Sequence, residues 1–184
     1  MLSEQIAALL PHGARVLDVG CGDGVLAALV KGKRPDLDIT GIDVLVRPST
    51  RIPIEKFNGV RIPFGDGSVD VVMFVDVLHH ADDPAMLLRE AARTARRAIL
   101  IKDHTRDGIL ANLTLRFMDW AGNARHGVTL PYNYWNRKRW LEVCEGLGLK
   151  IGVWRADLNI YPWPATWIFD RSLHFLARLD LTTS

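Results

Sequence analysis

The chain has 184 residues, 48% of them apolar, with 23 lysines and arginines against 21 aspartates and glutamates for a formal charge of +2. That length suits one domain with a real core, and the near balance of charge argues against a surface basic all over, as in a nucleic-acid binder. Cys21 and Cys144 lie in unrelated elements and make no CxxC pair, so neither a disulfide scaffold nor a cysteine zinc site is expected, which fits a reducing compartment. Neither a leader-type apolar core nor an apolar run of roughly 18 residues is present, so the expectation is a soluble, cytoplasmic chain without a membrane span.

Residues 2–10 read as a short helix with Ser3 as a possible N-cap, broken by Pro11, His12 and Gly13. The stretch VLDVGCGDG, Val16 to Gly24, follows. Its apolar start reads as a strand buried on both faces. Gly20, Gly22 and Gly24 then make a turn into the apolar VLAALV, a helix ending at Gly32. Glycines there permit a tight turn and close approach of a ligand to the backbone, and the helix N-terminus beyond suits a carboxylate or phosphate. Val25 stands where a dinucleotide fingerprint needs its third glycine. The pattern Asp18-x-Gly20-x-Gly22-x-Gly24 instead resembles the first motif of class I S-adenosylmethionine (SAM)-dependent methyltransferases. The resemblance implies that Asp18, Gly20, Cys21, Gly22 and Gly24 belong to a cofactor site for SAM, with S-adenosylhomocysteine (SAH) as product. Relatives of this class often carry a longer N-terminal region over that site; here it is nearly absent, and a lid has to come from elsewhere.

A second strand, Leu37 to Asp43, ends in an acid about 19 residues past the last motif glycine. A carboxylate so placed can accept both ribose hydroxyls of a nucleoside. Ile52 to Phe57 reads as a short third strand. The following IPFGDGSVD resembles the LPFPDGSFD stretch of small-molecule methyltransferases related to ubiquinone and menaquinone biosynthesis. In that group an acid six positions before the Phe contacts the adenine amino group; here Asn58 stands there, and its carbonyl can still accept from that amine. The region is too short for two crossover helices, so at least one reduces to a turn.

Val69 to Val75 is a near-continuous apolar run and hence a central parallel strand. Asp76-Val77-Leu78-His79-His80 follows, resembling the family's DVLHH. Residues past the carboxyl ends of such strands face the ligand crevice. That puts Asp76 near the methionine end of SAM and His79 or His80 near the substrate. Adjacent histidines are expected to point apart, so no metal site is assigned. Asp83-Pro84 starts a helix through residues 86–95 with Leu87, Leu88, Ala91 and Ala95 inward, and with Arg93, Arg96 and Arg97 solvated at its end. Ala98 to Ile101 is a fifth strand, and His104 comes just past it. His79 and His104 are the candidate bases, since imidazole titrates in the useful range.

Residues 105–135 hold Ile109, Leu113, Phe117 and Trp120 at helical spacing, then an aromatic stretch, and are read as a substrate cover. Its Trp120, Tyr132 and Tyr134, with His80, are the candidate substrate residues; extra core or a dimer face is the other reading. Asn136 caps a helix with Trp140, Leu141, Val143, Cys144 and Leu147 inward, its Arg137–Arg139 run solvated. Leu149–Leu158 and 171–179 read as a final antiparallel pair joined through Tyr161-Pro162-Trp163-Pro164. The whole, residues 1–184, is read as one α/β domain. With the resemblance, its fold is a Rossmann-like, doubly wound, seven-stranded mostly parallel sheet of order 3-2-1-4-5-7-6, its last strand antiparallel, with helices on both faces. The implied function is methyl transfer from SAM to a small-molecule acceptor by a monomer or homodimer, with no nucleic acid as partner. A methyltransferase acting on RNA or protein and a non-catalytic SAM-binding module are the alternatives.

Overall fold

The computed structural model describes residues 1–108, 111, 113–116, 133–160 and 173–182. In chain order the elements are α1 (Leu2–Leu9), β1 (Arg15–Val19), α2 (Val25–Lys33), β2 (Asp38–Asp43), β3 (Ile54–Lys56) and β4 (Val69–Val75). A 3₁₀ turn (Leu78–His80), α3 (Pro84–Thr94), β5 (Ala95–His104), α4 (Arg137–Gly146), β6 (Leu149–Arg155) and β7 (His174–Leu181) complete the set. The strands form one seven-stranded sheet in the order β3-β2-β1-β4-β5-β7-β6. β1 to β5 pair in parallel, and β7 is antiparallel to both β5 and β6. This is the expected order.

Alternation along the strands splits the core into two layers. Leu17, Val19, Val72, Phe74, Ile99 and Ile101 pack with Leu88 of α3 and Trp140 of α4 on one face. Val16, Val71, Met73, Ala98 and Leu100 pack with Ile6 of α1 and with Ala27 and Val30 of α2 on the other. With both faces covered, the carboxyl ends of β1, β2, β4 and β5 are the edge left for ligands.

Several boundaries differ from the sequence expectation for physical reasons. α2 runs through Gly32 to Lys33 and stops where Pro35 cannot continue it. Ser3 is buried within α1, whose cap position is Met1. β3 is only Ile54–Lys56, and no helix lies between β2 and β4, so both crossovers there have lost their helix. α3 passes straight into β5 at Ala95. Ala95, Arg96 and Arg97 are therefore strand residues, and Arg96 pairs with Asp70 at 3.0 Å. β5 extends to His104, β6 ends at Arg155, and β7 is His174–Leu181. Asp83 and Asn136 cap α3 and α4 as expected, accepting from the backbone N–H of Met86 and Arg139. Leu141 faces outward, while Trp140 and Cys144 are buried. Residues 161–172 lie outside the described residues.

Arg93 corrects a larger reading. It is no solvated helix end: its guanidinium donates to the carbonyls of Ile62 (3.0 Å) and Phe64 (2.9 Å) and pairs with Asp66 and Glu90. It thereby ties the IPFGDG loop to α3. Replacing Arg93 with Ala removes charge-assisted bonds to two carbonyls, and we expect a loss of about 2 kcal/mol and a melting temperature lower by on the order of 5 °C, read by thermal unfolding.

Candidate functional site

β1 ends into a turn in which Gly20, Gly22 and Gly24 all have left-handed φ. The space a Cβ would take is filled by Val77 at Gly20 and by Ile52 at Gly24, whereas at Gly22 no protein atom lies within 4 Å. Of the three, Gly22 is thus the one with open space where a side chain would project. Its N–H donates to Asp43 Oδ2 at 2.8 Å, and Asp43 Oδ1 accepts from Leu45 N–H at 2.8 Å. Two backbone bonds fix this carboxylate at the end of β2, with accepting capacity left on both oxygens. Beneath the turn Asp18 is buried, and burial first, then the charge of Asp43, pushes its carboxyl up to about 8. The Cys21 thiol is likewise pushed up to about 12 by burial and then by Asp18 and Asp43, so it is no nucleophile at neutral pH.

The raised Asp18 value has a testable consequence. An acid whose folded-state pKa lies above its ordinary 3.8 stabilises the fold below about pH 4, and that contribution is lost as pH rises towards 8. Replacing Asp18 with Asn, neutral throughout, should raise the melting temperature at pH 8 and change it far less at pH 5.

A cavity of about 350 Å³ opens beside this turn, lined among others by Gly20, Asp43, Asn58, Val77, His80 and Met86. That is within the range of small-molecule sites. Asn58 is at its wall, but its Oδ1 already accepts from the N–H groups of Val60 and Arg61. Both lone pairs of the carbonyl expected to meet the adenine amine are therefore engaged; the amide N–H groups are what Asn58 can offer a base.

The second half of the site gathers at the ends of β4 and β5. Asp103 is fully buried and accepts three bonds: from His79 Nδ1 (2.6 Å), Leu78 N–H (3.0 Å) and His104 N–H (2.7 Å). Burial pushes its carboxyl up, but the His79 imidazole, then His104, outweigh this and hold it well below the carboxylate range. The His104 ring is lowered to about 4, by burial first, against the opposing pull of Asp76 and Asp103, and stays neutral at pH 7. Lys102, also buried, grips both oxygens of Asp76 at 2.6 and 2.7 Å, and this ammonium overcomes the burial that would raise Asp76. Asp76 itself has φ 56°, a left-handed conformation that its short polar side chain tolerates.

His79 and His80 do not point apart. In the tight 3₁₀ turn their ring centroids are 3.9 Å from each other, and His79 lies 4.7 Å from His104 and 5.5 Å from Tyr134, on which it stacks. His80 lines the cavity, so the buried cluster begins one ring away from it. Asn133 N–H donates to the His79 carbonyl and its side-chain amide to the Ala81 carbonyl, which fastens residues 133–135 over the turn. Ala111, Leu115, Tyr134 and Leu173 form a small apolar cluster there, while Leu113, expected on the inward stripe, is 68% exposed. Trp120 and Tyr132 lie outside the described residues. His79, Asp103 and His104 lie close enough to share a metal ion. Three of the four accepting positions of the Asp103 carboxylate are already taken by N–H donors, however, and the group reads as a hydrogen-bonded dyad with a neighbouring ring.

A doubly wound sheet whose switch-point crevice carries a glycine turn, a β2 acid and a cavity at the strand carboxyl ends is a nucleoside-binding α/β domain. A family model described as "Methyltransferase domain" matches residues 2–152, and the chain belongs to that family, among the class I SAM-dependent methyltransferases, whose cofactor is SAM. It is 31% identical over 110 residues to the 27-O-demethylrifamycin SV methyltransferase of Amycolatopsis mediterranei, covering 52% of this chain and 40% of that one. It is 29% identical over 138 residues to the 2-methyl-6-phytyl-1,4-hydroquinone methyltransferase of Synechocystis, covering 70% and 38%. The match thus spans about two fifths of the length of these relatives. In fold it resembles the SAM-dependent methyltransferase of Mesorhizobium loti, with a TM-score of 0.70 at 17% identity over 96% of both chains. Among the described residues no helix is long and apolar enough to cross a membrane.

The sequence pointed to Asp18, the glycine turn, Asp43, Asn58, Asp76, His79, His80, His104 and Tyr134 one by one. It missed Asp103 and Lys102, which sit inside an apolar strand; the one available signal was a charged pair, Lys102-Asp103, interrupting a buried run.

Proposed function

We propose that this chain transfers a methyl group from SAM to a small-molecule acceptor, releasing SAH. The observation that carries the reading is the cavity bounded by Gly20, Asp43 and Asn58, one imidazole away from a buried histidine cluster. In this reading the Gly20–Gly24 turn and the N-terminus of α2 hold the methionine carboxylate. Asp43 takes the ribose hydroxyls and Asn58 donates to the adenine ring. SAM supplies a methyl on a positive sulfonium, already a strong electrophile. The protein's part is then to align the acceptor and keep water away, a task that suits the covered cluster under Tyr134.

A small acceptor is also favoured by what becomes of the basic run. Arg137 and Arg139 lie over the rings of Trp154 and Trp135, and Lys138 pairs with Glu142, so these charges are engaged within the chain. The two relatives named above act on a rifamycin and on a hydroquinone, which supports a hydroxylated ring-bearing acceptor. The test is calorimetric titration with SAM and SAH, with NAD as control, joined to mass-spectrometric detection of SAH over phenol, hydroquinone, aniline and indole acceptors. Binding of both sulfur nucleosides and SAH formation with one small acceptor are expected; failure to bind either nucleoside would overturn the reading.

A further inference from the structure

We propose that this chain does not recognise the 6-amino group of its cofactor's purine. Asn58 meets the base with a donor, so the site holds a 6-oxopurine nucleoside as well as the 6-aminopurine. The proposal rests on the methyltransferase reading above and concerns which base that site accepts.

The position of Asn58 follows from the sheet. β3 lies beside β2 with Lys56 opposite Asp43, and the Phe57 N–H donates to the Asp43 carbonyl at 3.1 Å. Asn58 comes one residue later, on the wall of the same cavity as Asp43. Val44, Phe57, Val60 and Leu87 give that cavity apolar surface, suited to the faces of a flat ring. A base whose ribose is held by Asp43 enters between these side chains and brings its polar edge to Asn58.

The chemistry Asn58 offers is fixed by its own loop. Its Oδ1 accepts from the N–H groups of Val60 at 3.0 Å and Arg61 at 2.9 Å. Reversing the amide would set an NH₂ group against two N–H donors, so the hydrogen-bond network assigns oxygen and nitrogen. Nδ2 donates to no protein atom among the described residues. Facing the adenine amine it is a donor against donors, and it can bond only to a flanking ring nitrogen, N1 or N7. In hypoxanthine a carbonyl replaces the amine and accepts from Nδ2 directly. An acid here, as in the ubiquinone-related methyltransferases that this stretch resembles, does the reverse: it accepts from the amine and repels the carbonyl. Strong rejection of an analogue needs a site group left unpaired by it, and Asn58 is left unpaired by neither base. Besides Asp43, the side-chain nitrogen and oxygen acceptors on the cavity wall are His80, Asp82 and Asp83. Asp83 Oδ1 already accepts from the Met86 N–H, and Asp82 is exposed, where water competes for it.

The test is calorimetric titration of wild type and Asn58→Asp with SAH, with S-inosylhomocysteine, and with SAH analogues carrying C–H in place of N1 or N7. Asn58→Asp keeps the shape and the accepting oxygen for Val60 and Arg61, and thermal unfolding checks that its fold is retained. Wild type should bind SAH and S-inosylhomocysteine within about fivefold of each other, and one of the two carbon-substituted analogues about 10-fold more weakly than SAH. Asn58→Asp should bind SAH about 10-fold more tightly and the inosine compound about 10-fold more weakly, a change in selectivity of about 100-fold. A larger preference of the wild type for SAH would overturn the proposal and give the amine to Asp82, Asp83 or a backbone carbonyl. So would an unchanged selectivity in Asn58→Asp, or undiminished binding of both carbon-substituted analogues. Failure of the wild type to bind SAH at all would overturn the cofactor reading instead.

Discussion

Asp43→Ala is expected to weaken SAM binding about 100-fold while changing the melting temperature little. Each hydrogen bond to a charged partner is worth about 1.5–3 kcal/mol where water is excluded, so losing two ribose contacts removes roughly 3 kcal/mol, a factor near 100. The same substitution releases the Gly22 and Leu45 N–H groups. Gly22 belongs to the turn with open space above it, so its anchor and the ligand contact are lost together. The fold loses less, because the Gly22 N–H in the turn after β1 is part-buried and the Leu45 N–H after β2 is exposed, so both can take water in place of the carboxylate. Asp43→Asn keeps one accepting oxygen, and an intermediate loss of about 10-fold is expected. Titration calorimetry with SAM and SAH, set beside thermal unfolding of the same three proteins, separates the effects; a parallel collapse of stability and binding in Asp43→Ala would make the carboxylate a structural tie instead of a ligand group.

How much of this was legible in the chain follows the range of the interactions. Most strands, the glycine turn and the start of α3 could be read because their signals are local: apolar runs of strand length, three glycines at fixed spacing, Asp83 before Pro84; the sheet order followed only from the family resemblance that the glycine turn carried. Boundaries were misplaced where tertiary pairing overrode local signals. β5 begins at Ala95 because Val69 of β4 pairs with it there, a fact nothing near Ala95 announces. The half of the site at the ends of β4 and β5 was legible only in pieces. His79, His80 and His104 stood out as types at strand ends, but their assembly depends on Asp103, 24 residues from His79 and hidden in a strand. The opposite error concerned Arg93, where a cation at a helix end was given its usual solvated reading although two loop carbonyls were waiting 29 and 31 residues away.

Alanine at Gly20 and alanine at Gly22 should fail in different ways, although both glycines stand in the same turn. Gly20 has φ +72°, and a Cβ there would sit 2.7 and 2.8 Å from the two γ carbons of Val77. The left-handed conformation costs about 1–2 kcal/mol for a residue with a Cβ, and crowding a packed contact adds about 1–3 kcal/mol. Val77 lines the cavity, so the strain also displaces a wall of the site, and Gly20→Ala should lose both stability and SAM binding. Val77→Ala removes the clashing carbons but not the backbone strain. The double variant should therefore recover about 1–2 kcal/mol of the loss and no more, a coupling that a double-mutant cycle in denaturant reads directly. Gly22 has φ +61° and no atom within 4 Å of the added carbon, so Gly22→Ala carries only the conformational cost of about 1–2 kcal/mol. Its methyl would instead project into the space read here as the cofactor's, and SAM affinity should fall further than stability. Equal ratios of lost affinity to lost stability in the two variants would mean that the space above Gly22 is not where the ligand lies.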